Sequence, residues 1–141
     1  MTPSQQALLA SRYKSDGMAA SSPQKLVVLI YQRLSIDLDK AIVAINANQV
    51  EAAHKVLINA QDLVFELQLA LDSELWPGAV ELQAIYDFLL GLLVAANLKK
   101  STELVQRCID IVSPLGESWV EAYQMLQRVE AGATTSMAGL T

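Results

Sequence analysis

The chain has 141 residues, of which 52% are hydrophobic, with six glycines, four prolines and a mean hydropathy of +0.30. Ten basic residues against fifteen acidic ones give a net charge of -5, and Lys and Arg are scattered singly apart from Lys99 and Lys100, so the electrostatic footprint of a nucleic-acid binder is missing. One domain with its own core suits this length, and the longest uncharged apolar run, Phe88 to Ala96, is about half of the roughly 20 residues that span a bilayer. The N-terminus has no basic region followed by an apolar one, and a single cysteine, Cys108, fits a reducing compartment; a cytosolic protein without membrane insertion is expected.

Residues 1–22 are rich in Ser, Gln and Ala, with a short apolar patch at Ala7, Leu8 and Leu9 followed by Tyr13 and Met18, the composition of an N-terminal arm or short cap helix. Ser22 and Pro23 then supply an N-cap and a proline in the first helical position. Val27, Ile30, Leu34, Leu38, Ala41 and Ile45 follow at 3,4 spacing, which predicts a helix over about 23–46. Asn48 with Glu51 three residues on has the spacing of a capping box, so a second helix, about 49–72, starts after a very short turn and runs back antiparallel. Its seam is Val50, Ala53, Leu57, Ala60, Val64, Leu67 and Leu71. Trp76, Pro77 and Gly78 break the pattern, and a third helix over about 79–98 is apolar almost all round. Ser101 caps a fourth, about 102–130, with Val105, Cys108, Val112, Leu115, Trp119, Ala122 and Leu126 again in 3,4 order; Pro114 predicts a kink or break near Ile111 to Ser113. Beyond Ala131 the periodicity ends, and 132–141 is expected to be a disordered tail. Bundle residues 23–131 therefore predict an all-α protein, an antiparallel four-helix bundle with a short N-terminal arm or cap helix.

Catalytic chemistry has little to stand on. Glu51-Ala-Ala-His54 has the spacing of one half of a carboxylate-bridged di-metal site, but such a site needs a second E-x-x-H, and His54 is the only histidine. Glu51 is accounted for as a capping residue and His54 as a surface residue near a helix start. There is no glycine-rich phosphate loop and no Ser/His/Asp or Cys/His constellation that spacing alone assembles, while Asp37 and Asp39 point to different helix faces. No enzyme, cofactor or metal site is expected.

What composition leaves unexplained is an apolar surplus. In the second helix Ile58, Phe65 and Leu69 fall nearly opposite the seam, and in the first Leu29, Ile36 and Val43 do the same. A helix with two apolar faces needs a core and something else to cover it. Either the bundle is asymmetric or oligomeric and buries these stripes in itself, a purely structural role, or they form a groove for an amphipathic helix of a partner. In the second case the arm ahead of Ser22 is placed to cover the groove while the partner is absent.

The order of Tyr13, Ser21-Ser22-Pro23 with Leu26, Leu29-Ile30-Tyr31, Lys55 to Asp62 as KVLINAQD, Glu66-Leu67, Ile85 to Leu89 as IYDFL, Ala95 to Lys100 as AANLKK and Trp119 resembles the flagellar secretion chaperones of the FliS type over about residues 13–126. Two features depart from that pattern: Ile30-Tyr31-Gln32-Arg33 stands where the family usually has Leu-Tyr-Asp-Gly, and Pro114 with Gly116 enters a normally continuous helix. The resemblance implies a cytosolic helical bundle that holds the C-terminal segment of flagellin in hydrophobic grooves, blocks premature polymerisation, keeps the subunit competent for flagellar type III export and contacts the export gate while loaded. It would act as a monomer or weak dimer. Partner-binding residues implied on this chain are Tyr13 and Met18 in the arm, Ile58, Phe65 and Leu69 as outer anchors, and Gln61 and Asn97 as polar groups that fix the ligand backbone. For the last two, a helix-surface residue and a helix C-cap are the plainer alternatives. Tyr31 and Tyr86 lie near their helices' seams and are expected in the core.

Overall fold

The structure, a computed structural model, describes residues 23–71 and 78–139, with side chains as far as Gly132. Tyr13, Met18 and the rest of the expected arm lie outside the described residues, as do residues 72–77. Four helices make up the described chain: α1, Pro23–Asn46; α2, Val50–Ala70; α3, Ala79–Lys99; and α4, Thr102–Gly139. Each packs on its neighbours in chain order, and α4 closes the ring against α1. This is the antiparallel four-helix bundle that the 3,4 repeats imply.

The core is built from those repeats. Ile30, Leu34, Leu38 and Ala41 of α1, Ala53, Leu57, Ala60, Val64 and Leu67 of α2, Leu89, Leu93 and Ala96 of α3, and Val105, Cys108 and Val112 of α4 are buried. Burying a large aliphatic side chain contributes about 1.5–3 kcal/mol, so this seam holds the bundle together. Tyr31 and Tyr86 are both buried, with their hydroxyls 2.6 Å apart across the core, and the Trp119 indole also hydrogen-bonds the Tyr31 hydroxyl, which ties α1, α3 and α4 through one polar network. Val50, expected in the seam, is exposed: it is the first residue of α2, level with the point where α1 has just ended.

The turn between α1 and α2 is made differently from the expected capping box. Asn48 has φ 60°, its N–H bonds the Ile45 carbonyl at 3.0 Å, and the Gln49 N–H bonds the Ala44 carbonyl at 2.9 Å. These two bonds are a Schellman closure of α1, with Asn48 in the left-handed position that usually takes glycine. An N-cap needs an extended backbone, so Asn48 cannot fill both roles; the α2 N-cap is Gln49, which makes no side-chain cap bond. Ser101, by contrast, does cap α4, its Oγ accepting from the Leu104 N–H at 3.2 Å.

Pro114 does not break α4, which is one helix from Thr102 to Gly139. Proline deprives the Asp110 carbonyl of its i+4 donor, but both residues are exposed, where the lost bond costs less than it would in the core. The helix also continues through most of 132–141. Loss of apolar periodicity removes a packing face, yet Ala131 to Ala138 contain only Gly132 as a poor helix former, so the backbone ladder runs on. By length and composition α3, 21 residues with a hydropathy of 1.6, is apolar enough to cross a membrane; in this fold it packs between α2 and α4, with Tyr86, Leu89, Leu93 and Ala96 in the core.

Candidate partner-binding surface

The outer face of α2 follows from helical geometry. Positions separated by about 100° per residue that are not needed for the core turn outward, and here they are apolar. Ile58 is 39% exposed, Leu69 57% exposed, and Phe65, between them, is half-buried. Gln61 is half-buried on the flank that faces α3. On the neighbouring helix Val80, Phe88, Val94 and Leu98 are exposed as well, Leu98 to 81%.

Cross-helix hydrogen bonds fix how these two helices line up. Gln68 Nε2 donates to Asp87 Oδ1 at 2.8 Å, and Gln83 Nε2 reaches the Gln68 carbonyl at 3.0 Å and the Leu71 carbonyl at 3.4 Å, where the end of α2 leaves its last carbonyls without helical partners. At the other end Asn97 Nδ2 lies 2.9 Å from His54 Nδ1. The antiparallel register set by these bonds brings Ile58 alongside Val94 and Phe65 alongside Leu90. The outer stripe of α2 and the exposed apolar residues of α3 thus lie along one shared edge as an apolar strip, bounded by the Gln68–Asp87 and His54–Asn97 pairs.

Asn97 is not free to meet a ligand directly. It is only 7% exposed, Lys100 Nζ donates to both its backbone carbonyl and its Oδ1, and its Nδ2 is used on His54. Lys100 itself takes the left-handed position at the end of α3, with φ 48° and ψ 50°, so Lys100, rather than Asn97, closes that helix. Tertiary packing, which brings His54 to Asn97 from 43 residues away, carries no local sequence signal.

Two further grooves line α1. Its own outer stripe, with Ile36 and Val43 exposed and Leu29 half-buried, opens beside Ala52 and Val56 of α2 in a recess of about 440 Å³. Between α1 and α4 a larger groove of about 740 Å³ has Tyr31, Ile36 and Val120 along its walls. Gly116 lies over Tyr31: a Cβ added there would sit 3.4 Å from the ring, in ordinary van der Waals contact, so an alanine would fit against the same wall. Sequence reasoning missed this second groove, although a glycine inside an otherwise periodic helix was a signal, since it costs about 1 kcal/mol relative to alanine.

Electrostatics adds one anomaly. Glu66 is only 4% exposed, and its Oε1 has no hydrogen-bond partner; burial, and then the Asp62 carboxylate one turn earlier, push its pKa up. Cys108 is fully buried, and burial pushes its thiol up to about 12, which leaves it unreactive at neutral pH. Among the described residues no three His, Cys, Asp or Glu side chains converge as metal ligands.

Comparison with known proteins places the bundle. The family of the flagellar protein FliS matches residues 5–126. The chain belongs to the FliS family. It is also similar to the flagellar secretion chaperone FliS of Bacillus subtilis (strain 168), at 25% identity over 121 residues, which cover 86% of this chain and 90% of that protein. The FliS match includes all of α1, α2 and α3 and the part of α4 that packs on them, so every surface described above lies within the family domain. A flagellar secretion chaperone, with a flagellar protein as its partner, is the function this membership supports, and an oligomer of purely structural role is not favoured.

Proposed function

We propose that this FliS-family protein binds the C-terminal segment of flagellin in the cytosol along the apolar strip of α2 and α3, with no catalytic activity. The observation that carries the reading is the stripe of Ile58, Phe65 and Leu69, which stays outside a core that is already complete without it. A segment that orders only when packed can cover such a strip in helical form; it spends conformational entropy on binding, which keeps the complex releasable for export. Gln61 at the edge of the strip is placed to bond a ligand carbonyl, and Tyr13 and Met18 belong to an arm that covers the surface before loading. Docking to the export gate while loaded uses surfaces away from the strip.

Calorimetric titration of the full-length protein with the C-terminal segment of its own organism's flagellin tests this reading. Tight one-to-one binding with a negative heat-capacity change is expected, weakened at least tenfold in Phe65→Asp. Absence of binding, in a protein whose size does not change on dilution, would instead make the stripes an oligomer seam.

A further inference from the structure

We infer that the groove between α1 and α4 receives α1 of a second copy of this chain, giving a reversible two-fold dimer that leaves the α2–α3 strip free on the opposite side of each bundle. The inference does not depend on what the strip binds.

Helix contacts run from α1 to α2, α3 and α4 in turn and close from α4 to α1, so the α1–α4 face and the α2–α3 edge lie on opposite sides of the bundle. Val28, Tyr31, Ile36 and Val120 stand in the walls of the groove, and Ile36 also lines the recess that reaches Val43 and Val56 on the α2 side of α1. This one isoleucine, 52% exposed, joins the two recesses into an apolar face that crosses the outside of α1.

Charge along that face says what fits it. On α1, Arg33 and Lys40 are exposed, seven residues apart, and flank Asp37, which accepts a hydrogen bond from Asn59 of α2; they mark the edge of α1 that is turned toward α2. On α4, Asp110 and Glu117 are exposed and again seven residues apart, with Glu121 one turn further on. No hydrogen bond or ion pair engages the Glu117 or Glu121 carboxylate among the described residues. Gly116 lies over Tyr31 and Lys25 over the Tyr123 ring, so α1 and α4 run antiparallel, with Arg33 level with about residue 114 and Lys40 with about residue 107. Each base is therefore within about one turn of Glu117 or Asp110 in height. Inside one chain they cannot pair, because the bases are on the α2 side of α1 and α4 is on the other.

A second copy removes that obstacle. A two-fold axis parallel to α1 keeps every residue at its own height and seats α1 of each copy in the α1–α4 groove of the other, which brings Arg33 and Lys40 of one chain over Glu117 and Asp110 of its partner, twice by symmetry. An axis across α1 would instead turn the two acidic edges of α4 toward each other. Val28 and Ser35, on the groove side of α1, are small enough for the two helices to approach closely. Asp39 also reaches the rim of this face, and Gln32 and Ser35 make it partly polar, so the pairing is that of a reversible, salt-sensitive dimer and not of an obligate one.

Sedimentation of the full-length chain without any added partner, from about 1 μM to about 0.5 mM, should show a monomer passing to a dimer by mass action. Reversing the acidic edge, Asp110→Lys with Glu117→Lys, should weaken dimerisation about tenfold or more, and reversing the basic edge, Arg33→Glu with Lys40→Glu, should do the same. An equal mixture of the two reversed proteins should recover a dimer of about wild-type affinity, since both charge contacts are then complementary again; that recovery also shows that both variants are folded. Ser35→Cys should cross-link to itself on mild oxidation, because the axis holds both copies of residue 35 at one height, whereas Glu81→Cys on α3 should not; Cys108 is buried and takes no part. A chain that stays monomeric throughout, a dimer indifferent to either reversal, a mixture that does not recover, or cross-linking that is no better at 35 than at 81 overturns the proposal. The flagellin segment is added last. One segment per chain with the dimer intact is expected, and dissociation of the dimer by the segment overturns the separation of the two faces; absence of segment binding removes the proposed function and leaves the dimer standing.

Discussion

Glu66 and the Tyr31–Tyr86 pair show two ways a single residue can carry polar chemistry into an apolar bundle. The tyrosines satisfy one another, so their burial is compensated; Glu66 Oε1 is not satisfied, and its charged form is disfavoured by burial and by Asp62. A carboxyl whose folded pKa is raised contributes stability that is fully present below its unfolded value of 4.5 and lost as pH rises through the folded value. Glu66→Gln should therefore raise stability at pH 7 by about 1 kcal/mol, and the gain should vanish near pH 4. Urea unfolding at the two pH values measures it. Tyr31 works at the opposite end of the scale: burial raises its hydroxyl from 10.0 to about 12, so its contribution is complete below pH 10 and disappears as pH rises through 12. Tyrosinate absorbance in the folded protein should accordingly lag behind that of the urea-unfolded chain, and Tyr86→Phe, which removes a hydrogen bond that holds the Tyr31 hydroxyl down, should move the Tyr31 transition to still higher pH. Neither effect was legible in the sequence beyond the expectation that both tyrosines are core, because burial of Glu66 depends on what packs across it and not on its neighbours in the chain.

At the scale of elements, the repeats were legible and the punctuation was only partly so. Core positions at 3,4 spacing carry a periodic signal over five or six turns, which local exceptions such as Val50 cannot erase. Turns depend on one or two dihedral angles. Ser101 signalled its cap correctly, whereas Asn48 fitted two motifs, and its φ of 60° decides for the closure of α1. The same ambiguity gives a prediction. A left-handed conformation costs an ordinary L-residue about 1–2 kcal/mol, and Asn and Gly bear it best. Asn48→Ala should lower the stability of the bundle by about 1 kcal/mol, while Asn48→Gly should be neutral within about 0.5 kcal/mol; a true N-cap would lose stability in the alanine variant through its side chain, and restoring Ser at 48 would rescue it. Chemical denaturation of the three variants distinguishes the roles, since serine at a left-handed C-cap brings no rescue. Pro114 shows the same limit: sequence marks the missing donor, but the break it allowed does not occur, and α4 runs through as one helix.

Across the whole molecule, the surplus that first marked the sequence separates into apolar surface the fold needs and apolar surface it leaves over, and that division is the part of the candidate site sequence could see. The stripe on α2 was visible as a second period in one helix; the strip it forms with α3, the α1–α4 groove and the His54–Asn97 contact arise only when helices are placed side by side. Two substitutions about two turns apart on α2 make the separation measurable. Leu57 is fully buried, so Leu57→Ala should cost about 2–5 kcal/mol of stability by leaving a cavity in the core, and any loss of partner binding should follow from unfolding alone. Phe65 is half-buried on the outer side, so Phe65→Asp should leave the urea midpoint within about 1 kcal/mol of wild type while weakening the flagellin segment at least tenfold. Because a ligand that binds only the folded state stabilises it by RT ln(1 + [L]/Kd) and so raises the unfolding temperature, thermal melts with and without the segment measure both quantities on one sample. Leu57→Ala should melt low but still respond to the segment, and Phe65→Asp should melt near wild type and respond little. If the two variants lost stability and binding in parallel, the outer stripe would be part of the core's own cohesion, and the division between fold and function on α2 would not exist.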